Sequence, residues 1–247
     1  MRLFQYWDTG DPPPEVAAWV DGFRSMNPEM SHTLYDRDQA SWFIGKRIGL
    51  RERRTFDTLL IPAMQADYFR LCAICSRGGV WVDADYQAAA PLREVLDDVP
   101  EALFLSWFGH VDNSFMMCRS PAKAFLSAAL RLATLNIETR MNGRAYMVSG
   151  PGALSAIRVL VDPESTEQVE AQFHRLRGAV GDCATTMERA RTAIPVTPEL
   201  KQAFQAARLI EVAAMKPWLS RRKKPAYKQT SVHWQNWVGS IYAEPAG

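Results

Sequence analysis

Ala63-Met64-Gln65-Ala66-Asp67-Tyr68-Phe69-Arg70-Leu71-Cys72-Ala73-Ile74-Cys75-Ser76-Arg77-Gly78-Gly79-Val80-Trp81-Val82-Asp83-Ala84-Asp85 joins a helix, a glycine stop and a strand without a spare residue. After Pro62 the segment Ala63 to Ser76 reads as a helix, apolar at Ala66, Phe69, Ala73 and Ile74. Arg77-Gly78-Gly79 ends it, because glycine accepts the left-handed backbone of a helix C-cap. Val80-Trp81-Val82 follows as a short buried strand and runs directly into Asp83-Ala84-Asp85. Asp67 and Arg70, spaced i and i+3, share one helix face. Helix, turn and strand therefore hold Asp67, Arg70, Asp83 and Asp85 in one fixed relation.

Upstream, Leu3 to Trp7 is an apolar and aromatic run that ends at the turn cluster Asp8-Thr9-Gly10-Asp11, a buried first strand. Pro12, Pro13 and Pro14 lead into a helix with Val16, Trp19, Val20 and Phe23 at helical spacing, broken at Asn27-Pro28. His32 to Tyr35 is a second strand. A polar turn at Asp36-Arg37-Asp38 precedes a short helix carrying Trp42, Phe43 and Ile44. Strand, helix, strand at the outset predicts an α/β sheet covered by helices. Arg51 to Arg54 reads as a solvated helix face or a loop.

Downstream, Ala102 to Trp107 and Ser114 to Cys118 read as further strands. Ser120-Pro121 opens a helix to about Asn136, with Ser120 as N-cap, and Ser149-Gly150-Pro151 opens another to about Leu160. A helical insertion is expected over about 161–215, and a basic, aromatic tail over 216–247, in a single domain of 247 residues. The tail holds six basic residues against one acidic, a net of +5, so the remaining chain carries −3 of the overall +2.

Composition narrows the function. With 47% hydrophobic and 23% charged residues the chain is of globular type. A net charge of +2 argues against a charge-driven nucleic-acid binder. No apolar run approaches the ~20 residues of a membrane helix, and Asp8 and Gly10 interrupt any signal-peptide pattern, so a cytoplasmic protein is expected. Four cysteines are too few for a disulfide scaffold, and Cys72 and Cys75, with the spacing of a metal motif, read as packed core thiols.

The chemistry centres on Asp83 and Asp85. Two close carboxylates at a strand end repel one another unless a cation sits between them. Their oxygens suit Mg²⁺ or Mn²⁺, completed by water and substrate phosphates. A bland alternative is an acidic turn after an edge strand, and for Asp67 and Arg70 a structural ion pair.

Ala66-Asp67-Tyr68-Phe69-Arg70 followed by Gly78-Gly79-Val80-Trp81-Val82-Asp83-Ala84-Asp85 resembles the signature of the DXD-containing sugar-binding glycosyltransferases. That family, glycosyltransferase family 32, includes proteins similar to initiating mannosyltransferases, capsular polysaccharide enzymes and the catalytic domains of clostridial glucosylating toxins. Phe4-Gln5-Tyr6-Trp7, with Pro13 and Trp19, is similar to its opening. Weaker likenesses fall at Asn113 to Pro121, Ser149-Gly150-Pro151 and His233 to Trp237, while 166–215 is not covered. The resemblance implies a GT-A type, Rossmann-like nucleotide-sugar fold with additional helices, and retaining sugar transfer dependent on Mn²⁺ or Mg²⁺. UDP is the preferred nucleotide and GDP the second.

Carried over by position, Gln5 and Trp7 would lie at the donor nucleotide, with Trp7 on the base. Asp67 and Arg70 would hold donor-sugar hydroxyls, and Trp81 would stand near the donor. Asp83 would contact ribose and metal, Asp85 would be the main metal ligand, and His233 a third. Trp237 would meet the leaving phosphate, although Asn236 stands where the family commonly has serine. On the acceptor side Trp107, His110, Asp112 and Asn113 follow a predicted strand and read equally as a structural loop. A nucleotide-sugar donor and a saccharide or glycolipid acceptor, in surface polysaccharide assembly, are the partners implied.

Two other classes remain open at this level. Strand-Asp-X-Asp also opens the haloacid-dehalogenase phosphatases, but Gln87 stands where they have Thr or Val, and here the motif lies well inside the chain. A catalytically inactive glycosyltransferase fold could instead bind a partner. Arg221 to Lys224, flanked by Trp218 and Tyr227, would suit peripheral contact with an anionic inner-membrane face, or a solvated loop.

Overall fold

Two glycines set the centre of the molecule. Gly78 (φ +60°) and Gly79 (φ +105°) turn the chain from helix into strand, and any Cβ there would lie 2.9 Å from the Cys118 carbonyl or 2.7 Å from the Arg2 carbonyl. Only glycine fits the backbone and the space. The computed structural model describes residues 1–121, 124–175, 180–221, 237 and 240–244.

The strands described are β1 (Arg2–Tyr6), β2 (Ser31–Tyr35), β3 (Gly79–Val82), β4 (Tyr86–Ala88), β5 (Ala102–Trp107), β6 (His110–Cys118), β7 (Ala207–Glu211) and β8 (Leu219–Arg221). The helices are α1 (Pro14–Met26), α2 (Arg37–Arg47), α3 (Leu50–Asp57), α4 (Pro62–Arg77), α5 (Arg93–Leu96), α6 (Ala124–Glu138), α7 (Ala145–Val148), α8 (Pro151–Val161), α9 (Thr166–Arg175), α10 (Val180–Ala193) and α11 (Pro198–Gln205). Six strands form one sheet in the order β2-β1-β3-β6-β5-β7. β1 pairs in parallel with β2 and β3, β5 in parallel with β7, and β6 runs antiparallel to both its neighbours. This is a mixed α/β fold with a mainly parallel sheet, as the opening strand-helix-strand pattern predicts.

Strand alternation sorts the core onto two faces. Phe4, Tyr6, Trp81, Phe104 and Met116 pack with Phe69, Leu71 and Ile74 of α4 and with α6. Leu3, Val80, Val82, Leu103, Leu105 and Phe115 pack on the other face with Phe23, Leu92 and Leu96. Every residue of β3 is buried, as a strand covered on both faces requires. Trp81 therefore faces α4, and two residues on, Asp83 leaves the sheet on the same side.

Most predicted elements stand within a residue or two. α1 buries Val16, Trp19, Val20 and Phe23, and Asp36 heads α2 through a capping box with Gln39. Arg51 to Arg54 lie on α3, and Cys72 and Cys75 are buried free thiols. Three expectations change, and a fourth falls partly on residues that are not described. Asp112 and Asn113 lie within β6, because a two-residue turn with Phe108 (φ +49°) and Gly109 (φ +84°) closes a β5–β6 hairpin at once. The 161–215 region is not wholly helical, since β7 adds a parallel strand beside β5. Ser120 and Pro121 form a bend ahead of α6, and the residues between Pro121 and Ala124, on which the expected cap depends, lie outside the described residues. Lastly, β3 ends at Val82, and Asp83 to Asp85 form the turn into β4, closed by Tyr86 N–H on the Asp83 carbonyl at 3.1 Å. The two aspartates are thus positioned by a turn and not by strand alternation. Among the described residues no helix is long and apolar enough to cross a membrane.

Candidate functional site

Arg70 is the hub. Its side chain is 4% exposed and bridges two carboxylates, with Nη2 at 3.1 Å from Asp67 Oδ1 and 2.9 Å from Asp83 Oδ1. Nη1 donates to the Asn113 carbonyl, and Nε to the Ala66 carbonyl at 3.2 Å. The guanidinium also lies 5.0 Å from the centre of the Trp81 ring, whose indole N–H donates to Asp83 Oδ1 at 2.9 Å. A planar cation with a fixed fork of donors can serve all these acceptors at once, which a lysine cannot.

Asp67 is held as firmly. Its Oδ1 also accepts from Asn113 Nδ2 at 2.9 Å. Its Oδ2 lies 2.8 Å from where a Cβ on Gly150 would stand, so the residue heading α8 must lack a side chain. Burial pushes the Asp67 carboxyl up to about 6; the guanidinium and the Asn113 amide oppose this, and the Asp83 charge adds to it. Burial is thus the dominant influence.

Strand β6 brings the remaining groups in by an irregularity. Against β5 the register jumps between Phe104 and Leu105, leaving residues 113–115 as extra chain on the β6 side. This bulge sits beside Asp83, whose N–H donates to the Ser114 carbonyl at 2.8 Å. Bulges re-aim side chains, and here Asn113 turns onto Asp67. Asp112 Oδ1 accepts from both the N–H and the hydroxyl of Ser114, so the Tyr86 hydroxyl donates to Ser114 Oγ at 3.0 Å. That chain fixes the residue that follows Asp85, itself 5% exposed.

The structure thus brings together Asp67, Arg70, Trp81, Asp83 and Asn113, with Asp85 in the adjoining turn. Asn113, expected on the acceptor side, is joined to the Asp67–Arg70 network through its side-chain amide and its carbonyl. Trp7 is half-buried on the cluster of Val16, Trp19, Val20 and Ala84, the cluster that includes the residue between the two aspartates. Gln5, on β1 beside β3, is fully buried and engages His32 Nε2 at 2.8 Å through Oε1. Trp107 is 42% exposed and packs its ring on Phe108 at the hairpin end. Trp237 is half-buried against the core, with its indole N–H donating to the Ser240 carbonyl at 3.1 Å. His233 and Arg222 to Lys224 lie outside the described residues. β8 reaches Arg221 opposite Tyr86, so the basic run begins beside the residue that follows Asp85.

A divalent cation fits the donor set here. Asp83 and Asp85 supply the two carboxylates that Mg²⁺ or Mn²⁺ commonly takes from a protein when phosphates and water complete its shell. Among the described residues no third His, Cys, Asp or Glu joins them in a metal-binding group. Sequence reasoning missed the fit of Gly150 against Asp67. Gly150 left a trace only as the residue before the helix-opening Pro151.

No protein-family model matches the chain. Over 100 residues, 38% of its length, it is 25% identical to an initiation-specific alpha-1,6-mannosyltransferase of Schizosaccharomyces pombe, and it spans about a quarter of that protein's length (24%). Among solved structures it is similar to the PaToxG glycosyltransferase, with a TM-score of 0.48 and 13% identity over 83% of each chain. Both likenesses are to glycosyltransferases.

Proposed function

We propose that this chain is a glycosyltransferase of GT-A type that moves a sugar from a nucleotide-sugar donor to a saccharide or glycolipid acceptor. The observation that carries the reading is the Asp67–Arg70–Asp83 triad, pinned at the carboxyl end of β3 with Asp85 in the next turn. Ligands of open α/β sheets bind at the carboxyl ends of the strands. The likeness to a mannosyltransferase over 100 residues agrees with it.

In this reading Asp83 and Asp85 hold Mn²⁺ or Mg²⁺, with His233 a further ligand. When bound, the ion neutralises the diphosphate and stabilises its charge as it leaves. The chain's own residues orient the donor. Trp7 offers an aromatic face to the base. Asp67, locked by Arg70, Asn113 and Gly150, accepts hydrogen bonds from sugar hydroxyls. Arg70 opposes the upward push of burial on Asp67 and holds Asp67 and Asp83 in register without touching the reacting bond. The tail from β8 onward, Trp237 included, would cover the diphosphate and exclude water. Front-face displacement assisted by the leaving phosphate, with retention, suits a site in which no nucleophile is assigned. UDP is the preferred nucleotide and GDP the second, for transfer in surface polysaccharide assembly. Trp107 and Asp112 would border the acceptor. Arg221 to Lys224 would touch an anionic membrane from the cytoplasmic side.

Thermal shift against UDP- and GDP-sugars, with and without Mn²⁺, tests the reading. A metal-dependent rise for one donor, abolished by Asp85→Asn, is expected. Robust hydrolysis of an aryl phosphate without any response to sugar nucleotides would instead identify a phosphatase.

A further inference from the structure

The strand directions put a second concavity on the edge of the sheet that carries the charged triad. β3 and β5 both run antiparallel to β6, and β7 runs parallel to β5, so β3, β5 and β7 end on the same side. Beyond the ends of β5 and β7 lies a cleft of about 510 Å³ lined by Phe108, Gly109, Gln168, Ala171, Gln172 and Glu211. That volume is in the range of small-molecule pockets. With strands about 4.8 Å apart, the cleft stands two to three strand positions, about 10 to 15 Å, from the end of β3. Helix α9, which forms one wall, packs Val169 and Phe173 into the core cluster that holds Phe69 of α4, so both helices cover the same face of the sheet.

The walls are fixed in place. Arg158 Nη1 donates to the Gly109 carbonyl at 2.6 Å, and the buried His110 Nε2 lies 3.2 Å from the Val169 carbonyl, which ties the hairpin to α8 and α9. A Cβ on Gly109 would stand 2.8 Å from the Gln168 Cβ, so turn and helix meet closely. Gln168, Ala171 and Gln172 fall at i, i+3 and i+4 and share one face of α9. Gln172 is 3% exposed, and among the described residues its Oε1 finds no hydrogen-bond donor. A buried amide oxygen left unpaired costs stability, and a ligand hydroxyl would remove that cost.

Phe108 is a residue that the turn itself does not ask for. A two-residue hairpin turn with positive φ at both positions favours Asn-Gly, and a bulky side chain at φ +49° gives up local stability. Its ring is 58% exposed, so burial does not offset the loss. The Trp107 ring, also exposed, lies beside it with centroids 5.6 Å apart. Aromatic faces next to two amides and the exposed Glu211 carboxylate match a sugar ring, apolar on its C–H face and hydroxylated around its rim.

We propose that this cleft is a subsite for one sugar unit of an oligosaccharide acceptor, stacked on Phe108 and hydrogen-bonded by Gln168, Gln172 and Glu211. The unit that receives the transferred sugar then lies nearer Asp83. The proposal rests on the sugar-transfer reading and makes its acceptor a chain of several units, not a monosaccharide.

The test titrates α-linked mannose, β-linked glucose and β-linked N-acetylglucosamine tetrasaccharides, and their monosaccharides, in the presence of Mn²⁺ and UDP or GDP. Binding of UDP- and GDP-sugars is measured alongside. One tetrasaccharide should bind more tightly than its monosaccharide. Phe108→Asn, which suits the turn better than phenylalanine, should weaken it about tenfold, the loss of roughly 60 Å² of ring burial against a sugar face. Gln172→Leu should weaken it roughly three- to tenfold, as removal of one hydrogen bond does. Mn²⁺-dependent binding of the preferred sugar nucleotide should match wild type in both variants. Absence of tetrasaccharide binding, or binding unaltered in either variant, would overturn the proposal and leave the functional reading standing where a sugar nucleotide binds. Equal weakening of tetrasaccharide and sugar nucleotide would also overturn it, because the cleft would then act only through the fold. Failure of the wild type to bind any sugar nucleotide would overturn the functional reading, and the acceptor role with it.

Discussion

Asp67 Oδ2 rests 2.8 Å from the point where residue 150 would carry a Cβ, so the carboxylate and the bare α-carbon of Gly150 occupy complementary space. The backbone of Gly150 is unstrained (φ −90°), which means that close approach, not conformation, demands glycine here. Gly150→Ala should therefore displace the Asp67 carboxylate and cost about 1–3 kcal/mol in denaturant unfolding. Sugar-nucleotide affinity should fall with it. An unchanged crystal position of Asp67 in the variant would contradict this.

Arg70 compensates two buried or half-buried carboxylates. Arg70→Met should leave both without their cation and destabilise the fold by about 3–5 kcal/mol. Arg70→Lys should recover only part of this loss, because a single ammonium cannot reach Asp67, Asp83 and the Asn113 carbonyl together. Urea titrations of the two variants measure the difference.

The raised pKa of Asp67 has a definite sign in stability. The unfolded chain releases this proton near 3.8 and the folded chain near 6, so between those values the folded state binds more protons. Asp67's contribution is then full below pH 3.8 and is lost as pH rises through 6. Wild-type stability should fall relative to Asp67→Asn between pH 4 and 6 and run parallel to it above 7. Parallel curves across the whole range would place the Asp67 pKa near its ordinary value.

Asp36 offers a contrast remote from the site. Its carboxylate accepts from Gln39 N–H at 2.7 Å and completes the capping box of α2. Asp36→Ala should cost about 1 kcal/mol of stability and leave sugar-nucleotide affinity unchanged.

The site was legible in sequence to the extent that it is local. Helix α4, the glycine pair and β3 follow one another with no loop, so helical spacing, a left-handed stop and a four-residue strand bring Asp67 and Arg70 to the turn that carries Asp83. The tie between Asn113 and Asp67 was not legible, for a reason equally physical. A hairpin turn with two positive φ values and a bulge over 113–115 re-aimed the side chain, and neither has a clear periodic signature.

By itself the sequence determined the α/β class, the buried strands β1 and β3, and the charged trio at the end of β3, because each rests on apolar periodicity and on glycine's backbone freedom within a few residues. Tertiary structure alone decided that Asn113 and Gly150 close around Asp67, and that β7 adds to the sheet beside β5. Those contacts join segments far apart in the chain. They depend on which faces pack together and which buried polar groups must find partners, and a one-dimensional pattern carries neither.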